Sequence, residues 1–138
     1  MEHITEALKH LNWLAVLTAA VASFALGGLW YSPILFAKRW MKETGITAES
    51  AKGANIALAF GGTFVLQIVS AIGLGLMIGG HDMKHGAFMG LFVGCAWVAT
   101  AIGTNYLYER KSLMLYFINV GYSVGLLVIQ GAILGAWH

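Results

Sequence analysis

Charged side chains in this 138-residue chain are so spaced that four uninterrupted charge-free stretches remain, at residues 10–37, 53–81, 85–108 and 112–138. They are 28, 29, 24 and 27 residues long. An α-helix rises about 1.5 Å per residue, so roughly 20 apolar residues cross the hydrocarbon of a bilayer, about 30 Å thick. Each stretch therefore suffices for one crossing. Composition agrees, since 59% of the residues are hydrophobic and 10% are charged, where soluble domains carry about 25% charged residues. The expected fold class is all-α: an integral membrane four-helix bundle of antiparallel spans at about 13–36, 54–80, 87–107 and 113–137.

The chain is read as a single domain over 1–138, because the longest hydrophilic connector, Ala37 to Gly53, is too short to bury a core of its own. A net charge of +2 spread over short loops contains no basic run, so nucleic acid is not an expected partner. The single cysteine, Cys95, falls mid-span and cannot form an internal disulfide. Near the start, Lys9 and His10 before an apolar run, with Ala20-Val21-Ala22, imitate a cleavable signal peptide. Glu2 and Glu6 spoil the basic segment, and the apolar run continues to Leu29. Residues 1–12 are instead expected to form a short interfacial helix.

Lysine and arginine are retained on the cytoplasmic side of membrane proteins. Lys38, Arg39, Lys42 and Lys52 lie between spans one and two, and Arg110 and Lys111 between spans three and four; the other side has Lys9 and Lys84. Both termini are thus expected on the non-cytoplasmic face. The end of span one, Trp30-Tyr31-Ser32-Pro33, is expected to be kinked by its proline. A surface helix carrying Trp40 and Met41 should follow and stop at Gly45. Short turns at 80–86 and 108–112 imply that spans two, three and four pack as consecutive neighbours.

Glycines recur at four-residue spacing: Gly75 and Gly79; Gly86, Gly90 and Gly94; Gly121 and Gly125; Gly131 and Gly135. Span one repeats the interval with Ala15, Ala19, Ser23 and Gly27. Small-residue stripes let helix backbones approach closely in lipid. They serve either an oligomer interface, making a homo-oligomer, or contacts within one subunit.

No Asp, Glu, Lys, Arg or His lies at mid-bilayer depth, which argues against a proton-driven transporter. Neutral polar groups remain. Tyr31, Thr100, Asn119 and Tyr122, with Ser32 and Gln67 nearby, are candidates for a ligand-binding or permeation layer in the cytoplasmic third, or for hydrogen bonds that merely set helix register. On the opposite side His81 and His85, four apart and with Asp82 between them, could chelate a divalent transition metal, or could be solvated loop residues. No nucleophile elbow, phosphate loop or catalytic carboxylate pair is present, so an enzyme is not the expectation and no cofactor is required. A faint internal echo relates Gly28-Leu29-Trp30-Tyr31, before Lys38-Arg39, to Gly103-Thr104-Asn105-Tyr106, before Arg110-Lys111.

The segment from Gly27 through Trp30-Tyr31-Ser32-Pro33 to Phe36, then Trp40-Met41, Asn119-Val120-Gly121-Tyr122 and the terminal Gly131 to Trp137, resembles the small membrane proteins grouped as domain of unknown function 1761. That resemblance implies a bacterial, inner-membrane, multi-pass protein of four helices and supplies no activity. The functional expectation is a self-associating permeation or small-ligand-binding unit built on the neutral polar layer. A membrane scaffold binding another membrane protein through its glycine stripes and a metal-binding protein using the outer histidines are the alternatives.

Overall fold

The computed structural model describes residues 2–51, 53, 55–79 and 82–137, and these are helical without a strand. An amphipathic helix α1 (Glu2–His10) precedes α2 (Trp13–Trp30), after which come two short helices, α3 (Ala37–Thr44) and α4 (Ala48–Ala51). The rest is α5 (Ile56–Ile78), α6 (Met83–Val93), a π-helical turn (Gly94–Val98), α7 (Ala99–Glu109) and α8 (Leu113–Ala136). Trp13–Trp30, Ile56–Ile78, Met83–Glu109 and Leu113–Ala136 are each long and apolar enough to cross a membrane. The chain thus has the four helices of a multi-pass bundle.

Each span begins at a side-chain cap. Asn12, Asn55, Asp82 and Ser112 accept hydrogen bonds from the backbone N–H groups of Ala15, Leu58, His85 and Leu115 at 2.8–3.1 Å, satisfying donors that a helix start leaves free. The caps shift the expected boundaries, because Asp82 caps a third span that starts at Met83, four residues before Ala87. Left-handed residues close two of the spans, Gly79 after α5 (φ 63°) and Arg110 after α7 (φ 56°), and Gly45 (φ 77°) closes the short α3. The expected first span to Phe36 ends instead at Trp30. Pro33 disfavours helical backbone at Ser32 and lacks an N–H of its own, so residues 31–36 form a turn and not a kinked helix.

α8 is the hub, touching α2, α5 and α6. The expected consecutive packing holds for spans three and four but is weak between α5 and α6, because the closest approach is set by glycine elsewhere. A Cβ on Gly86 would overlap the Gly131 carbonyl, one on Gly90 the Leu127 carbonyl, and one on Gly135 the Asp82 carbonyl. The α6 and α8 backbones are in direct contact there. Gly94 faces Val124, Gly75 faces Leu11 and Leu134, Gly121 faces the Trp30 ring, and Gly125 faces Leu26. Apart from Gly79, where a Cβ would meet nothing within 4 Å, these stripe glycines are covered by the chain itself. Ala15, Ala19, Ala71, Leu74 and Ile78 complete the core with Leu126, Leu127 and Leu134. Asn12 donates to the Trp137 carbonyl at 3.4 Å, bringing the two ends of the chain to one end of the bundle.

Candidate functional site

At the other end of the bundle, the break after Trp30 does two things. It leaves Tyr31 as the cap of α2, and the turn closed by Phe36 N–H to Trp30 O and Ala37 N–H to Ser32 O folds α3 back toward α8. The Trp40 ring of α3 then meets Tyr31 edge to face at 6.0 Å. Trp30 also donates its indole N–H to the Ile118 carbonyl at 2.8 Å and lays its ring on Gly121. That pins the start of the turn.

Asn119, half-buried on α8, joins two tyrosines. Its Oδ1 accepts from the Tyr31 hydroxyl at 2.7 Å, and its Nδ2 donates to the Tyr106 hydroxyl at 2.6 Å. The π-helical turn explains how Tyr106 gets there. Gly90 packs on α8, and sixteen residues later, at about 100° per residue, an unbroken α-helix would aim Tyr106 roughly 160° away. The wider turn at Gly94–Val98 takes back about one residue of rotation and returns the tyrosine to the α8 side. The internal echo acquires meaning here, since its two tyrosines, Tyr31 and Tyr106, approach the same amide.

Donor arithmetic then decides what the cluster can still bind. Two tyrosine hydroxyls and one amide carry four N–H or O–H protons, and two are used between themselves. One amide N–H and the Tyr106 O–H remain.

Below this cluster the polar groups form a seam into the core. Tyr122 stacks edge to face on Tyr31 at 5.5 Å and donates to the Ser23 carbonyl at 3.1 Å, with Gly27 leaving room for its hydroxyl. Gln67 donates to the Tyr122 hydroxyl at 3.1 Å, Gln130 donates to the Gln67 carbonyl at 3.3 Å, and Ser70 donates to Gln130 Oε1 at 3.0 Å. Gln130 is 0% exposed. Among the described residues no buried side-chain nitrogen or oxygen lacks a partner. The seam is a packed hydrogen-bond chain.

Two open grooves flank the Asn119 cluster. One, about 430 Å³, lies between α3 and α8 and is lined by Tyr31, Ala37, Trp40, Met41 and Asn119. The other, about 310 Å³, lies between α7 and α8 and includes Tyr106 and Lys111.

Of the residues singled out from sequence, Tyr31, Asn119, Tyr122 and Gln67 are brought together. Thr100 is not: it is exposed and its hydroxyl bonds back to Ala96 and Trp97 of its own helix. Ser32 bonds locally to the Leu29 carbonyl. Tyr106 and Trp40 belong to the cluster although depth counting marked them only as interfacial aromatics; the echo was the signal for Tyr106. His81 lies outside the described residues, while the Asp82 carboxylate caps α6 at the His85 N–H. Among the described residues no three His, Cys, Asp or Glu side chains gather.

α3 is also held electrostatically. The Ser112 hydroxyl, followed by the Arg39 guanidinium at 3.1 Å, keeps the Glu43 carboxyl below its ordinary value of 4.5. A carboxylate whose folded-state pKa is depressed contributes stability above its unfolded value and loses it as pH falls through the folded one. Acidification below pH 4.5 should therefore loosen α3 from α8, read as a change in Trp40 emission against a Trp40→Phe blank. Glu43→Gln should flatten that transition; an unchanged titration would mean that Glu43 does not hold α3.

A family model described as protein of unknown function (DUF1761) matches residues 14–135. No curated protein and no solved structure matches the chain.

Proposed function

The chain belongs to the DUF1761 family of proteins of unknown function, and from that premise we propose that it is a multi-pass membrane protein that binds a small molecule in the groove between α3 and α8. The observation that carries the proposal is the unspent N–H of Asn119, held on the floor of an open groove by bonds to Tyr31 and Tyr106. The ligand would present a hydrogen-bond acceptor to that N–H and an apolar or planar body to Trp40, Tyr31 and Met41. Lys38, Arg39 and Lys42 on α3 favour a neutral or anionic ligand over a cation. By the positive-inside rule this end faces the cytoplasm of a bacterial inner membrane, so the ligand would enter from within the cell.

Permeation through one subunit draws less support, because the seam beneath the groove is spent on its own hydrogen bonds. Self-association would use the exposed side of α5, with Leu66 and Val69 exposed, since the glycines of α6 and α8 are covered within the chain. A metal-binding role keeps its sequence basis in His81 and His85 alone.

Asn119→Leu tests the reading. Protein purified from membranes should release, on denaturation, a small molecule detectable by mass spectrometry, and Asn119→Leu protein of the same helix content should release at least tenfold less. Equal recovery from both, or none from either, refutes binding in this groove.

A further inference from the structure

The second groove points to a different ligand. We propose that the cleft between α7 and α8 holds the headgroup of an anionic phospholipid, with its acyl chains lying along the outside of the bundle. Gly103, Tyr106, Leu107, Lys111, Leu113 and Tyr116 line it, and its volume of about 310 Å³ is at the low end for small-molecule sites, enough for a headgroup but not for chains.

Three observations favour this occupant. The cleft opens sideways at a span end, where Leu107 and Leu113 are 82% and 69% exposed; these side chains offer a path for hydrocarbon. Its polar wall offers the remaining Tyr106 O–H and the Lys111 ammonium, which forms no ion pair among the described residues, beside Ser112, whose hydroxyl is engaged by Glu43 and the Leu115 N–H. Glu109 on this turn and Glu43, which reaches Ser112 but is paired with Arg39, are outweighed by Arg39, Arg110 and Lys111. The floor is kept open by Gly103. A Cβ there would come within 3.2 Å of the Tyr116 ring, whose hydroxyl is committed to the Ala99 carbonyl at 3.0 Å. Donors and a cation at headgroup depth, beside exposed leucines, match a phosphodiester carrying hydrocarbon, since basic pockets between spans attract anionic headgroups. A free phosphate would find the same donors but gain nothing from the leucines.

The experiment is native mass spectrometry of the full detergent-solubilised chain, titrated separately with phosphatidylglycerol and phosphatidylcholine of the same acyl chains. Phosphatidylglycerol should bind about fivefold more tightly, the fold-change expected of one lysine near an anionic headgroup. Lys111→Ala should abolish that preference, and Lys38→Ala, on α3, should preserve it. Tyr106→Phe should weaken phosphatidylglycerol binding between about twofold and tenfold, as the loss of one hydrogen bond does. Millimolar inorganic phosphate should not displace the lipid. Equal binding of the two lipids, a preference that survives Lys111→Ala or disappears with Lys38→Ala, or displacement by phosphate would each overturn the proposal. Because Lys111 lines only this cleft, such a failure leaves the α3 groove untouched.

Discussion

Gly90→Ala should separate α6 from α8 and destabilise the bundle by about 1–3 kcal/mol, the usual cost of forcing a methyl into filled space. The added carbon would overlap the Leu127 carbonyl and lie 2.9 Å from the Val128 nitrogen. Backbone cannot rotate away as a flexible side chain can, so the helices themselves must move. Gly131→Ala, which meets the Gly86 carbonyl, should behave alike. The sign reverses at Gly61 and Gly73, which lie within α5 and would meet nothing within 4 Å. There alanine removes a glycine's conformational freedom and should be neutral or stabilising by up to about 1 kcal/mol. Survival of monodisperse protein after heating in detergent separates the two classes. Equal heat resistance of Gly90→Ala and Gly73→Ala would show that α6 and α8 do not touch as described.

The second large effect is expected at Gln130. Gln130→Leu conserves most of the volume, so no cavity confuses the result. It removes the acceptor of Ser70 and both donations to Gln67, at 3.3 and 3.5 Å. Interhelical hydrogen bonds in membrane proteins average only about 0.6 kcal/mol, but an orphaned buried polar group costs about 1–3 kcal/mol. A loss of about 1–2 kcal/mol is therefore expected. Gln67→Leu added to Gln130→Leu should cost less than the two changes summed, because groups that are absent cannot be orphaned. The same unfolding measurement on the four proteins gives the coupling, and strict additivity would show that the two amides are independent.

The spans were legible because charge exclusion from hydrocarbon is severe and leaves its mark on single residues. Their boundaries were less so. Asn12, Asn55, Asp82 and Ser112 are all residue types that favour helix starts, yet hydropathy registers them only as breaks in an apolar run. The polar layer was half-readable. Depth counting put Tyr31, Asn119 and Tyr122 at one level, and α8 holds the latter two on neighbouring turns. The same counting admitted Thr100, since depth says nothing about which way a side chain points. Tyr106 was missed as a partner because its direction depends on the π-helical turn at Gly94–Val98, and no residue type announces one. The glycine spacing declared close helix approach but not the identity of the neighbour; Gly86 and Gly131 meet across 45 positions of chain.

The helix that the other three spans lean on follows all of them in the chain. While α8 is still in the ribosome, α2 and α5 can already pair, but α6 has laid its glycines against nothing. Until α8 inserts, that bare backbone ridge faces lipid or the insertion machinery, and the tyrosine–amide cluster has no centre. Docking of α6 and assembly of the tyrosine–amide cluster therefore both wait on α8.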